Sequence, residues 1–249
     1  MTSVLTALTI VALITWFALE RRKPAFAWGP DQQRIVRNFA LGVVGLGTTF
    51  LVVTPVSLAA AEWGPSWREG WPLWLRLGTD LLLLEFFIYW WHRANHEIPF
   101  LWRFHRVHHY DEFLDASSAL RFHPGEVIFS ACLRGLYVLL TDISVPSILI
   151  FDSLVVIAAG FHHSNIKLSD QMDSALRRLI VSPRHHRVHH IPERQYTDSN
   201  YGTLFSFWDR AFGSFRDADG KGSYGVEKAT DQPFTQLMTD PFRSPSSVS

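Results

Sequence analysis

The chain has 249 residues, of which 47% are hydrophobic, 18% charged and 14% aromatic. That apolar content excludes a disordered chain, and the lone cysteine, Cys132, excludes an internal disulfide framework. Lys plus Arg and Asp plus Glu each number 23, so the net charge is zero and no polyanion-binding face is indicated. The unusual feature is the set of 12 histidines, most of them clustered.

The first apolar segment, Thr2 to Leu19, carries no charge and is stopped by Glu20, Arg21, Arg22 and Lys23. Its length is just enough for a bilayer span. The charges follow the apolar run rather than precede it, which favours a retained span over a signal peptide. The second segment, Phe39 to Ala61, has no ionisable residue and is long enough to cross about 30 Å of hydrocarbon. Pro55 is expected to kink it.

The third segment, Leu73 to Trp91, holds Arg76, Asp80 and Glu85. Arg76 and Asp80 stand four apart, a spacing that pairs them on one helix face. Trp63, Trp67, Trp71 and Trp74 precede or open it and suit a membrane–water interface. A buried amphipathic helix is the other reading of this segment. From Val127 to Phe161 a fourth apolar region is interrupted by Arg134, Asp142, Asp152 and Pro146. It reads as a helical hairpin, roughly Glu126 to Leu140 and Val145 to Ala159, with the break near Pro146. Arg21, Arg22, Lys23, Arg34 and Arg37 crowd the first loop, so that loop is expected on the cytoplasmic side. Counting spans from there brings every histidine cluster to that same side. The polar remainder from Asn165 ends in a Gly/Lys/Asp-rich tail from Asp217, read as loop. The expected division is 1–79 for the N-terminal spans, 80–215 for the catalytic unit and 216–249 for the tail.

The chemistry lies in the histidines. His92 and His96 stand at i, i+4; His105, His108 and His109 at i, i+3, i+4; His186, His189 and His190 repeat that pattern. The string FHRVHH (Phe104–His109) is echoed by HHRVHH (His185–His190). Residues three and four apart share a helix face, so each cluster is expected to aim its imidazoles at one point. Neutral imidazole ligates Zn, Cu, Fe and Ni alike. Eight imidazoles exceed the needs of one ion and suit two. Cys132 lies away from the clusters, which excludes a zinc finger or iron–sulfur cluster, and no H-E-x-x-H string occurs.

Taken in order, HRANH, FHRVHH, RFHPGE, FHHSN, SPRHHRVHH, DSNYG and FWDRAFG resemble the membrane fatty acid hydroxylase/sterol desaturase superfamily. The likeness covers about Asp80 to Phe215. It implies an all-α integral membrane helical bundle, of about four spanning or hairpin helices, with a cytosolic histidine-rich helical cap. It also implies a non-haem di-iron centre and O2-dependent attack on a lipid C–H bond. The signature maps onto His92, His96, His105, His108, His109, His186, His189 and His190, with His123 and His163 added by RFHP and FHHSN. His162 and His185 fall at variable places. Glu85, two turns before His92, is expected to orient a ligand imidazole, or else to be an interfacial acid. Asn165 and Asn200 are expected to hold a metal-bound water or a ligand ring, or to cap turns. Arg106 and Arg187 are expected to pair with carboxylates around the site or steer a redox partner, and Arg93 to anchor at headgroups. Trp208 and Asp209 are expected to pack the cap, with no chemistry.

The one G-x-G-x-x-G string, Gly220–Gly225 (GKGSYG), lies in the polar tail outside any strand–turn–helix context and is no dinucleotide fingerprint, so a separate ferredoxin, cytochrome b5-like protein or reductase is implied as electron donor. Two other classes fit parts of the pattern: a membrane metal transporter or storage protein, and a zinc-dependent lipid hydrolase. Substrate identity, and hydroxylation versus desaturation, stay open. A bacterial inner membrane is the expected location, although an endoplasmic reticulum protein would read much the same.

Overall fold

A computed structural model describes residues 2–29 and 31–243. The expected loop at Ser244–Ser249 lies outside the described residues. The elements are helical: α1 (Thr2–Arg22), α2 (Gln33–Thr48), α3 (Thr54–Trp63), α4 (Leu73–Glu97), α5 (Pro99–His109), α6 (Pro124–Thr141), α7 (Val145–His163), α8 (Asp170–Leu176), α9 (Pro183–His189), α10 (Arg194–Thr197), α11 (Phe207–Ala211) and α12 (Phe234–Thr239). Among the described residues four stretches are long and apolar enough to cross a membrane: Thr2–Arg22, Gln33–Trp63, Pro124–Thr141 and Val145–His163.

The second span is one rod from Gln33 to Trp63. Between α2 and α3 it passes through a π-helical turn, Thr49–Val53. Pro55 explains the turn, because it has no N–H to return to the residue four before it. The expected kink is thus taken up as a wider turn. Helix α4 runs unbroken through His92 and His96, so the third apolar segment and the first histidine pair share one rigid axis. The hairpin is present, but Pro146 does not break it. Pro146 lies in the first turn of α7, where a missing N–H costs nothing. The chain reverses instead at Asp142, which adopts a left-handed conformation (φ 52°). Two glycines let these helices close up. A Cβ on Gly135 of α6 would sit 2.5 Å from Val56, and one on Gly160 of α7 would sit 2.8 Å from Leu13.

The helix ends sort into two levels. At one level stand the end of α3, the start of α4 and the α6–α7 turn. There Arg68 is fully buried and pairs with Asp80 at 2.8 Å. Asp142 accepts from the Arg68 backbone N–H at 2.6 Å and pairs with Arg76 at 2.9 Å. Asp80 also accepts from the Ser144 N–H and hydroxyl at 3.1 and 3.0 Å. The expected Arg76–Asp80 pair is therefore replaced by two cross-chain pairs. Tertiary packing offers each group a buried partner that a surface i, i+4 pair cannot match. Trp63, Trp67, Trp71 and Trp74 are exposed around this cluster, as an interfacial belt requires.

At the other level stand the end of α1, the start of α2, the ends of α4 and α7 and the start of α6. Here Glu20 of α1 accepts backbone N–H groups of Ala116 and Asn165, both at 3.0 Å. Arg34 of α2 pairs with Asp111 at 3.2 Å and with Asp115. The tail is not a plain loop. Its α12 buries Leu237 against Leu41, Val107 and Tyr110, and Arg106 pairs with Asp240 at 2.7 Å. Asp231 accepts from Arg37 at 2.6 Å and pairs with Arg121. Charged partners on α2, α5 and the 110–121 loop fix the tail, which composition alone did not disclose.

Asp80→Ala would leave the buried Arg68 guanidinium without its nearer carboxylate, with Asp142 at 3.9 Å as the remaining one. Breaking a buried pair this way costs about 3–5 kcal/mol. The unfolding midpoint of detergent-solubilised protein is expected to fall accordingly, while Lys221→Ala, which breaks an exposed pair with Asp219, leaves it within experimental scatter.

Candidate metal centre

Two short helices carry the repeated histidine string. Helix α5 starts at Pro99, pre-set for a first helical turn, and α9 starts at Pro183 behind Ser182, whose hydroxyl accepts the His185 N–H at 3.3 Å. With α4 and α7 they bring nine imidazoles into one buried region. One group comprises His92, His96, His105, His109 and His189; the other comprises His108, His163, His186 and His190. Within each group, one ligand atom per residue lies within 4.8 Å of all the others. His109 and His190 stack across the boundary with ring centroids 4.4 Å apart.

The partition departs from the expected single focus per cluster. Successive residues on an α-helix are turned by about 100°, so adjacent histidines cannot share one ion. Helix α5 therefore sends its i, i+4 pair, His105 and His109, to the first group and His108 to the second. Helix α9 does the reverse, sending His186 and His190 to the second and His189 to the first. The echoed strings are two halves of one exchange.

In the second group the Nε2 atoms face each other: His163 to His108 at 3.1 Å, His186 to His163 at 2.9 Å and His190 to His186 at 3.1 Å. In the first group, Nε2 of His96, His105, His109 and His189 has no hydrogen-bond partner despite burial. Such orphaned nitrogens are costly unless something accepts their lone pairs. A cation does so, and a set of nitrogens with no sulfur suits the imidazole-preferring transition metals. The residues present fit a pair of metal ions.

Outer contacts aim the rings. Nδ1–H of His92 donates to the Tyr201 carbonyl at 2.8 Å, and that of His189 to the Ser199 carbonyl at 2.7 Å. His96 Nδ1 faces an Asp198 oxygen at 3.5 Å. One tetrapeptide, Asp198–Tyr201, thus addresses three of the five rings in the first group. His105 donates to Glu126 at 2.9 Å, His108 to the Arg121 carbonyl at 3.1 Å and His163 to the Ala159 carbonyl at 2.8 Å. A proton fixed on Nδ1 leaves the Nε2 lone pair free for metal. Burial, reinforced by neighbouring imidazoles, holds His108, His109, His186 and His190 well below the ordinary histidine pKa; burial and the His92 ring do the same for His189. They are neutral at cellular pH, the ligating form.

The other expected site residues do something else. His123 stands outside both groups. It caps α6, its Nδ1 accepting the Gly125 N–H at 3.0 Å, while Nε2 faces the Met238 carbonyl at 3.1 Å. Both ring nitrogens are spent, because Pro124 makes the preceding residue the cap. Glu85 reaches no imidazole. Seven residues before His92, it shares a helix face but lies about 10 Å away along the axis. It accepts instead from the backbone N–H groups of Leu204 and Phe205, at 2.8 and 2.9 Å. Asn165 braces the chain after α1 through Phe26, accepting from its N–H at 3.0 Å and donating to its carbonyl at 2.9 Å. Asn200 takes a left-handed turn (φ 53°), donating to the carbonyls of His185 and Arg216 at 3.0 Å. Both asparagines hold loops and touch no ligand nitrogen. Arg187 donates to the Ile166 carbonyl at 3.3 Å, and Arg93 pairs with Glu97 at 2.8 Å.

Some residues at the site carried no assigned role in the sequence reading. Glu126, Asp198 and the Tyr201 carbonyl lie inside strings already singled out, RFHPGE and DSNYG, yet only the fold shows which ring each one meets. Asp209 also does more than pack. It accepts the N–H groups of Tyr201 and Gly202 at 2.7 and 3.1 Å and the Ser214 hydroxyl at 2.7 Å, and it pairs with His185 at 3.0 Å. It thereby pins the peptide whose carbonyl holds His92. His162 is buried with its ring 4.2 Å from that of His186, outside both groups.

Fold and site together define a polytopic all-α membrane protein with a buried, all-imidazole centre able to hold metal. The family model for fatty acid hydroxylase matches residues 79–214, more than half the chain, and the chain belongs to that family. It is similar to ornithine lipid hydroxylase OlsE of Rhizobium tropici, 27% identical over 201 residues, covering 79% of this chain and 60% of that one. It is 33% identical over 161 residues to alkylglycerol monooxygenase of Danio rerio, covering 64% of this chain and 34% of that one. It is 26% identical over 163 residues to lathosterol oxidase of Mus musculus, covering 62% and 52%. The chain therefore spans about a third to three fifths of the length of these relatives. No solved structure matches it.

Glu126→Leu would free the His105 Nδ1–H while sparing every ligand nitrogen. Loss of such an outer partner typically weakens metal binding about 10–100-fold. Competitive titration with Co(II) in detergent is expected to show that weakening at one site and an unchanged second site.

Proposed function

We propose that the chain is a membrane di-iron oxidoreductase that uses O2 to hydroxylate or desaturate a C–H bond of a lipid, fatty acyl, sterol or related. The observation that carries this reading is the convergence of five and four buried imidazoles, fed in exchange by α5 and α9, at the ends of apolar helices. The relatives' names support the substrate class, since they act on ornithine lipids, alkylglycerols and lathosterol. The first group would hold one iron and the second group the other. When bound, the metal supplies O2 activation, which is needed because unactivated C–H bonds are beyond side-chain acid–base chemistry.

The chain's own residues supply the rest. The outer contacts from Asp198–Tyr201, Glu126 and Arg121 keep five of the nine rings oriented without help from the metal. Burial keeps water from the reacting centre. The apolar helices end at the histidine level, so a lipid chain in the bilayer meets the centre without leaving hydrocarbon. Each turnover by hydroxylation consumes one O2, two electrons and two protons and yields one alcohol and one water. The electrons come from a separate carrier: a ferredoxin, a cytochrome b5-like protein or a reductase. We place the catalytic unit in residues 80–215 and the histidine level on the cytoplasmic side of a bacterial inner membrane. The basic loop of Arg21, Arg22, Lys23, Arg34 and Arg37 at that level supports this orientation.

Metal transport is disfavoured by placement, because transport sites lie near the bilayer midplane and these imidazoles gather at helix ends. A single-zinc hydrolase would leave one of the two imidazole groups unused.

Protein purified without O2 is expected to hold two irons per chain. Reconstituted with lipid extract and reductant, it should yield lipids that have gained one oxygen or lost two hydrogens, and only when O2 is admitted. One zinc per chain, or product formed equally without O2, would refute the reading. His108→Ala is expected to abolish product and halve the iron while the protein remains monodisperse in detergent.

A further inference from the structure

Glu85 poses a question that the metal centre does not answer. It is a fully buried carboxylate on a largely apolar helix, and its partners are two backbone N–H groups of the cap. Those groups belong to Leu204 and Phe205, which lie in no helix.

Depth gives the answer. Helices α6 and α7, with 18 and 19 residues, run from the histidine level to the Arg68 level. At about 1.5 Å per residue each covers roughly 27–28 Å, close to the hydrocarbon thickness. Helix α4 meets the Arg68 level at Asp80 and the histidine level at His92. Glu85 lies about 10 Å below His92 and about 8 Å above Asp80 on that ruler. Leu204 and Phe205 are therefore held between the two levels, where Leu204 packs against the cluster of Leu84, Val138, Ile143, Ile148 and Phe151.

Irregular backbone survives at such depth only if its polar groups are satisfied within the protein. Here they are. Glu85 takes the N–H groups of Leu204 and Phe205. The Leu204 carbonyl accepts the Val181 N–H at 3.0 Å, and the Ser206 N–H donates to the Leu179 carbonyl at 3.0 Å. The Ser206 hydroxyl donates to the Arg177 carbonyl at 2.7 Å.

The outward side chains match the location. Trp208 and Phe212 pack on Phe86 of α4 at 5.6 and 6.1 Å between ring centroids. Phe86 and Trp90 remain 37% and 39% exposed, Leu179 is 58% exposed, and Phe207 is half-buried. Arg178 and Arg210 are exposed beside them, and Arg210 donates to the Arg177 carbonyl at 2.8 Å. Long basic side chains at the edge of an apolar patch reach up to lipid phosphates.

We propose that residues 204–212, with Leu179, form a re-entrant segment that enters the bilayer from the histidine side, and that Glu85 is the residue that makes its backbone tolerable there. The patch is continuous with the lipid-facing surface of α4, and its occupant is the lipid bilayer. This does not depend on which metal the histidines bind or on the reaction.

Nitroxide labels test it without any turnover. Cysteines are introduced by Leu179→Cys and, separately, Phe207→Cys in a Cys132→Ser background. Val11→Cys on α1 serves as the lipid reference and Lys221→Cys as the water reference. The labelled proteins are placed in phosphatidylcholine–phosphatidylglycerol vesicles and probed with O2 and a water-soluble nickel chelate. Labels at 179 and 207 are expected to collide more with O2 than with the chelate, as at Val11. Chelate-dominated collisions at both positions, as at Lys221, would overturn the proposal. Glu85→Gln keeps an acceptor oxygen and is expected to preserve the ratio at 207. Glu85→Leu is expected to shift it toward the chelate, and an unchanged ratio there would remove Glu85 from the account.

Discussion

Everything in this molecule answers to one constraint: nine imidazoles are buried together, and their nitrogens must find partners. The rings face one another at hydrogen-bond distance in one group and have orphaned nitrogens in the other. A core of polar rings does not hold itself together as an apolar core does. The surrounding structure has to impose the arrangement, and for six of the nine rings it does so from outside, through carbonyls and carboxylates on the Nδ1 side.

That requirement explains the architecture of the cap. Asp198–Tyr201 is too short to be rigid alone. Asn200 fixes its turn through His185 and Arg216, and Asp209 pins the next two N–H groups. Asp209 also pairs with His185, next to a ligand-group histidine on α9. The collar and the helix it serves are therefore tied to the same carboxylate. On the other flank, Arg121 gives its carbonyl to His108 while its guanidinium donates to the Val107 carbonyl at 2.8 Å and to Asn38 at 3.0 Å. Through Asn38 and Arg34, helix α2 joins the same network. A change in α2 is felt at α5 by this route.

The membrane imposes the second constraint. Polar clusters gather at the two helix-end levels, with an ionic knot around Arg68 at one and the histidines at the other, and between them the Arg134–Asp152 pair joins α6 to α7. Glu85 also lies between the levels, and its place there has a cause: irregular chain beside it needs acceptors where water is absent. The FWDRAFG string thus serves two masters, Asp209 turning inward to the metal-centre collar and the aromatic residues turning outward toward lipid.

The sequence by itself determined the apolar spans, the hairpin, the three histidine clusters and the family. Hydrophobic length and the i, i+3, i+4 spacing are local properties, readable wherever a helix forms. It did not determine how the clusters divide. HRVHH reads as one focus, but the rotation between His108 and His109 sends them to different groups once α4 and α7 close around α5. Nor did it separate His123 from the ligands, since a histidine before proline looks the same as ligand or cap until its neighbours are known. Arg76 and Asp80 look paired in sequence and are not, because Arg68 and Asp142 reach them only in the folded bundle. Which partner a polar side chain takes depends on contacts between residues tens or hundreds of positions apart, and that choice belongs to the tertiary structure alone.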